Sequence, residues 1–473
     1  MTLPGSLVIN RDAPPARTAP TDTGTWFAAG FADFGPTDEA VKVRSLKEFK
    51  SAFGGRVNSG SLCDSVETFF REGGSVCYVA RVVGPAAANA SVTIDSTVDV
   101  EAKYPGAFGN GLNVEVEAGS QSGTFRFVVT HDSDASVSET SPDYATVADA
   151  EDWDSAYVTI TDNAGSASDP SVGTYSLSGG SDDYASATDS DWQTALDLFV
   201  ADLGPGQVSY PGRTTGTAHS QLLQHAEDTN RIALLDAADT ATVATLTAAA
   251  AAASILPGAS RGALFAPWAK IAGVSGGSVR TVPYSAVQAG LEARRDASGL
   301  NPNVPAAGVN GQPVSVIELA QSWTDDDRET LNDAGVNVAK LVYGGPRTYG
   351  YRTLVDPDTD PNNWQLGNSR LRMAVTAKAS EIAERYVLSQ IDGKGRTIAA
   401  FAGDLSGMLT GYYESGGLYG DTPEEAFRVD TSVNTPETIE AGQLRAVISM
   451  RVSPMAELVV IEIVKVPVSQ EIN

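Results

Sequence analysis

Apolar residues recur along this chain in two rhythms, and the rhythm changes twice. Dense apolar runs stand at Trp26–Pro36 (WFAAGFADFGP), Val76–Val83 (VCYVARVV), Arg231–Asp236 (RIALLD) and Ala263–Ile271 (ALFAPWAKI). Short runs of this kind predict strands, and the near-continuous Val76–Val83 a buried one. Between the first two, Ser45–Gly55 and Leu62–Gly74 carry helical spacing. Ser45 is the expected cap of the first, with Glu48 completing a capping box and a glycine stop. In the second, Leu62, Val66, Phe69 and Phe70 share a face. Strand, helix, helix, strand predicts a mixed α/β layer.

From 91 to 185 the pattern shortens. Runs such as Thr124–Thr130 and Tyr157–Ile160 are rich in β-branched and aromatic residues and are separated by Ser, Asp and Gly, which predicts an all-β insertion. Helical spacing returns at Asp191–Gly204 and in an alanine-rich helix ending near Leu256-Pro257-Gly258. The α/β domain is therefore expected to be discontinuous. Ser369–Ile391 is expected as the longest helix, with Leu371, Val375, Ile382 and Tyr386 on one stripe. Leu444–Val452 and Glu457–Val468 alternate like strands. At the other end, residues 3–10 read as a short strand, followed by an extended stretch holding Pro14, Pro15 and Pro20. Such a terminal strand either frays or adds to a sheet edge of another chain.

The expected organisation is a multi-domain α/β (mixed α+β) fold. It comprises an N-terminal strand and linker arm (1–24), an α/β middle domain (25–90 and 186–345), an inserted acidic all-β outer domain (91–185) and a C-terminal domain (346–473). A chain of 473 residues with 42% hydrophobic residues supports several cores. The net charge of −27 argues against nucleic-acid or anionic-membrane partners. That charge is uneven: residues 127–212 hold 16 carboxylates and no Lys or Arg. They cannot pair internally, so that segment is expected to be an outward-facing surface. The first residues lack a basic region followed by an apolar run, so no secretion signal is expected. Two cysteines exclude a disulfide scaffold.

Candidate chemistry is sparse. His131, His219 and His225 lack metal-ligand spacing, and Cys63 and Cys77 fall in apolar contexts that predict inert core thiols. DPDTDPN (Asp356–Asn362) resembles the start of a calcium loop, but Pro361 and Gly367 stand where a glycine and a glutamate are needed. Asp325, Asp326 and Asp327 read as dipole-stabilising residues at a helix start. Gly393–Gly395 (GKG) lacks phosphate-loop spacing. No catalytic, metal or cofactor site is expected.

Several segments together resemble the contractile-tail sheath proteins of tailed phages and phage-tail-like injection systems. They are PGSLV (Pro4–Val8), ETFFREGGSVCYVARV (Glu67–Val82), VPYSAVQAGLEARRDASG (Val282–Gly299), YGGPRTYGYRTL (Tyr343–Leu354), GDTPEEAFRVD (Gly420–Asp430), NTPETIEAGQL (Asn434–Leu444) and SPMAELVVIEI (Ser453–Ile463). The resemblance implies a non-enzymatic structural subunit without cofactors. It implies stacked hexameric rings around an inner tube, and irreversible contraction from a metastable extended state. Implied partners are further copies of the chain, the inner tube protein, and baseplate and terminator proteins. The implied location is a virion tail or phage-tail-like particle assembled in the host cytoplasm. It further implies inter-subunit strand exchange through Leu7, Val8 and Ile9 and through Val460, Ile461, Ile463, Val464 and Val466. It also implies a tube-facing surface at Arg370, Arg372 and Lys378. An acidic, β-rich surface or adhesin protein is the alternative reading, and a soluble enzyme with an unrecognised site a third.

Overall fold

The computed structural model describes residues 22–163, 169–273, 277–463 and 465. Its centre is an eight-stranded sheet in the order Gly345–Thr348, Val336–Val342, Gly262–Ala266, Ile232–Asp236, Gln207–Ser209, Trp26–Gly30, Cys77–Arg81, Val41–Val43. The six inner strands are parallel, and an antiparallel strand closes each end. Strands from residues 26–81 and from 207–348 thus share one sheet.

The dense apolar runs are explained by burial on both faces. Trp26, Ala28, Ile232, Leu234, Ala263 and Phe265 point into one core. Their sequence neighbours Phe27, Ala29, Ala233, Leu235, Leu264 and Ala266 point into the other. Helices Leu46–Phe53, Leu62–Arg71 and Tyr284–Ala297 cover the first face. Helices Asp189–Asp197, Gly216–Asp228 and Val243–Ser254 cover the second. The cap at Ser45 forms as expected, its hydroxyl accepting from Glu48 N at 3.1 Å. The return bond goes one residue further out, from Arg44 N to Glu48 Oε2 at 2.8 Å.

Three elements differ from their expected form. The run Ala263–Ile271 is two strands, Gly262–Ala266 in the main sheet and Ala269–Ala272 in a separate three-stranded sheet. Pro267 lies between them and has no N–H to give to a ladder. The helix expected over Ser369–Ile391 spans Leu366–Glu384. A second helix of the same 19 residues, Arg396–Glu414, follows it. Its Gly403, Gly407 and Gly411 dilute the helical signal.

The inserted segment is a β-sandwich. Four strands (Gly173–Ser176, Leu112–Ala118, Phe125–His131, Ser138–Thr140) pack on three (Ser91–Ile94, Val98–Ala102, Val158–Asp162). Val114, Val116, Phe127, Val129, Val98 and Val100 fill the space between them. Its entering and leaving chains run side by side, Gly84 N donating to Asp182 O at 2.9 Å. The buried Arg81 staples this junction. Its Nη2 lies 2.6 Å from Asp182 Oδ1, and Nη1 donates to Pro105 O at 2.7 Å and Gly35 O at 3.0 Å.

The histidines and cysteines lie in packed or hydrogen-bonded surroundings. Both thiols are buried, and burial pushes Cys63 up to about 11. His219 Nε2 sits 3.0 Å from Asp236 O, and His131 stacks on Phe108 at 4.4 Å. His225 Nε2 lies 2.8 Å from Nη1 of buried Arg231. Burial, and then the Arg231 charge, hold its imidazole down to about 3. Below pH ~6.5 the unfolded chain binds a proton here and the folded chain does not. Stability should therefore fall as pH drops, by about 2 kcal/mol from this residue at pH 5. His225→Gln is expected to flatten the pH dependence of urea unfolding between about pH 7 and pH 5; an unchanged slope would contradict this assignment.

Candidate functional site

Among the described residues, the C-terminal region leaves a β-patterned segment outside every sheet. Strands Phe427–Asp430 and Val447–Met450 form a two-stranded antiparallel ribbon. Beyond it the chain is tied down step by step. Ser453 N donates to Gly417 O at 3.0 Å, and Asn303 Nδ2 donates to Ser453 O at 2.6 Å. The Gln365 side chain copies a strand neighbour, accepting from Met455 N at 3.1 Å and donating to Met455 O at 3.2 Å. Last comes Arg352, whose Nη2 and Nε reach Glu457 at 2.6 and 3.1 Å while Nη1 donates to Asn332 O at 2.9 Å. Its guanidinium lies 5.1 Å from the Trp364 ring.

Past this clamp the chain lets go. Leu458, Val459, Val460, Ile461 and Ile463 are 74–89% exposed, and none of residues 457–463 belongs to a strand. The strand expected over 457–468 is therefore corrected for its described part: the alternation is there, but among the described residues no sheet edge pairs with it. Leu7, Val8, Ile9, Val464 and Val466 lie outside the described residues.

Beside the ribbon lies a groove of about 470 Å³, lined by Val375, Ala379, Ala383, Phe401, Leu405 and Ile448 among others. The helices Leu366–Glu384 and Arg396–Glu414 form its walls. Among the described residues, each ribbon strand is paired on one side only. A further strand added along Val447–Met450 would complete a ladder and lay alternate side chains toward this apolar wall.

The three cations expected on one tube-facing surface point three ways. Arg370 is fully buried. Its Nη2 lies 2.7 Å from Asp296 Oδ2 and its Nε 3.1 Å from Glu292 Oε2. It is a core ion and cannot meet an external carboxylate. Arg372 lines the groove, donating from Nη1 to Asn363 Oδ1 at 3.0 Å. Lys378 pairs with Glu381 at 2.6 Å and lines a different cavity of about 570 Å³, shared with Asp22 and Thr23. The helical period separates Arg372 from the other two, since it lies two residues from Arg370 and six from Lys378, and neither spacing shares a face. Nothing in the sequence marked the Arg352–Glu457 clamp, whose members are 105 residues apart.

No group of three or more metal-ligating side chains occurs among the described residues, and no described helix is long and apolar enough to cross a membrane.

A family model described as "Phage tail sheath protein beta-sandwich domain" matches residues 84–183, the span of the inserted sandwich. No curated relative matches the chain. Among solved structures, a sheath tail protein of Listeria innocua superposes with a TM-score of 0.63 at 15% identity, covering 88% of this chain and 90% of that one. A sheath tail protein of Desulfitobacterium hafniense gives 0.61 at 12% identity, covering 90% and 94%. The contracted sheath complex of PVC, an extracellular contractile injection system, gives 0.60 at 16% identity, covering 98% of both chains. The fold is that of the sheath proteins the sequence resembles.

Proposed function

We propose that this chain is the structural subunit of a contractile tail sheath. Copies stack as hexameric rings around an inner tube and are held together by exchanged terminal strands. They contract irreversibly from a metastable extended state and drive the tube through a target envelope. The single observation that carries this reading is the exposed apolar segment Leu458–Ile463, clamped at its root, in a chain that also offers a one-sided ribbon beside an apolar groove. One copy's loose strand fits the next copy's groove, and among the described residues neither is paired within its own chain.

In this reading the arm 1–24 is a second connector. The middle domain comprises 25–90 and 186–345, the outer domain 91–185 and the strand-exchanging domain 346–473. Tube contact passes through the partly exposed Lys378 and not through the buried Arg370 or through Arg372, which lines the strand-capturing groove. Work is stored in the lattice, so no catalytic group or nucleotide takes part. The tube, baseplate and terminator proteins are the partners, in a tail particle assembled in the host cytoplasm.

Thr376 and Ser380 are exposed on the groove wall, so bulky residues there spare the core. Thr376→Trp with Ser380→Trp is expected to leave a folded monomer that forms no hollow tubes in negative-stain images of overexpressed protein. Normal tubes from this variant would refute strand capture in the groove. Discrete particles from the unaltered protein would favour the adhesin reading.

A further inference from the structure

One end of the eight-stranded sheet is built against the interest of the isolated molecule. There Val336–Val342 and Gly345–Thr348 form a hairpin whose turn residues Tyr343 and Gly344 take φ of +51° and +84°. Two left-handed positions make a tight hairpin turn of the kind that favours Asn and Gly. A tyrosine holds the first position instead, and its side chain is fully exposed, as Leu341 and Tyr349 largely are (59% and 54%).

The charges are equally unfavourable. Lys340 and Arg347 stand directly opposite in the ladder, a like-charge pair that destabilises the hairpin. Neither has a carboxylate within ion-pair distance among the described residues. Lys340 Nζ sits over the Tyr349 ring, at 3.6 Å, with Asp325 nearby but beyond ion-pair distance, and Arg347 Nε is buried without a hydrogen-bond partner. This occurs in a chain with 59 carboxylates to 32 cations, where Arg81, Arg213, Arg261, Arg280 and Arg352 all find acids.

The complementary charge is at the far side of the same sheet. The acidic sandwich leaves from Cys77–Arg81, the seventh strand counted from the hairpin edge. At ~4.8 Å between strands it is rooted about 30 Å away. A chain's own sandwich is thus held away from its own hairpin. Opposite ends with opposite charges specify a head-to-tail contact, the kind that propagates into rings or helices.

We propose that the hairpin face formed by Lys340, Arg347 and Tyr349, with Tyr343 at its turn, docks the acidic β-sandwich of a second copy. The proposal deepens the sheath reading and rests on its claim that copies of this chain polymerise.

The test uses the full chain at low ionic strength. In Lys340→Glu, the new carboxylate faces Arg347 and forms a favourable cross-strand pair. The variant monomer should melt at or above the temperature of the unaltered protein while its polymer yield falls at least tenfold. In parallel, carbodiimide coupling of the assembled, unaltered protein should join Lys340 to carboxylates between residues 91 and 185, identified by mass spectrometry. Polymer yield unchanged in Lys340→Glu, or coupling of Lys340 only to carboxylates outside the sandwich, would overturn the proposal and leave the sheath reading standing. Failure of the unaltered protein to polymerise would overturn both. A destabilised variant leaves the coupling pattern to decide.

Discussion

A chain cut after Glu457 should fold, stay soluble and build no polymers. Residues 458–463 carry five large apolar side chains at 74–89% exposure, so removing them takes nothing from the core. The thermal midpoint of the monomer should stay within about 2 °C of the full chain, because a ΔΔG near zero shifts it little. In a polymer the same side chains would be buried in a neighbour, at roughly 1.5–3 kcal/mol each. Losing that at every link removes the lattice, since avidity multiplies a per-subunit loss. Calorimetry of the monomer and negative-stain microscopy of the overexpressed product are the two measurements. Deleting residues 1–20 should act in the same direction. Contractile tubes from both truncations would end the strand-exchange account.

The second large effect concerns Arg370. Replacing it with Met should lower the unfolding free energy by about 3–5 kcal/mol, the usual consequence of stranding a buried partner charge. Glu292 is fully buried and Asp296 nearly so; only Tyr351 Oη at 2.8 Å, Gln288, Thr23 and Arg295 would be left around them. The same cluster joins the root of the arm, the helix Tyr284–Ala297 and the helix Leu366–Glu384, so its loss should loosen the C-terminal domain against the middle one. Urea unfolding measures the first effect. Adding Glu292→Gln to Arg370→Met should recover part of the loss, because it removes the stranded charge. If Arg370→Met unfolds at the same denaturant concentration as the unaltered chain, the ion is not structural.

These outcomes depend on different kinds of information. The strands Trp26–Gly30, Cys77–Arg81 and Ile232–Asp236 were legible because a strand buried on both faces must be apolar throughout. The sandwich was legible from its short β-branched runs separated by Ser, Asp and Gly. The Ser45 cap was legible because its geometry is local. Arg370 was misplaced because a charge on an amphipathic helix is usually solvated, and its partner Asp296 is 74 residues away. The helix Arg396–Glu414 was missed because glycines on its exposed face need only avoid breaking it.

By itself, then, the sequence determined what periodicity and short range can encode: which strongly patterned segments are strand or helix, that an acidic β-unit interrupts an α/β one, and that both terminal segments carry a strand pattern. The tertiary structure alone decided which side chains at long separation meet. It buried Arg370, set Lys340 against Arg347, closed Arg352 on Glu457 and left Leu458–Ile463 outside every sheet of the described residues. Pairing across such distances depends on sheet order and register, and these are settled only when the whole core packs.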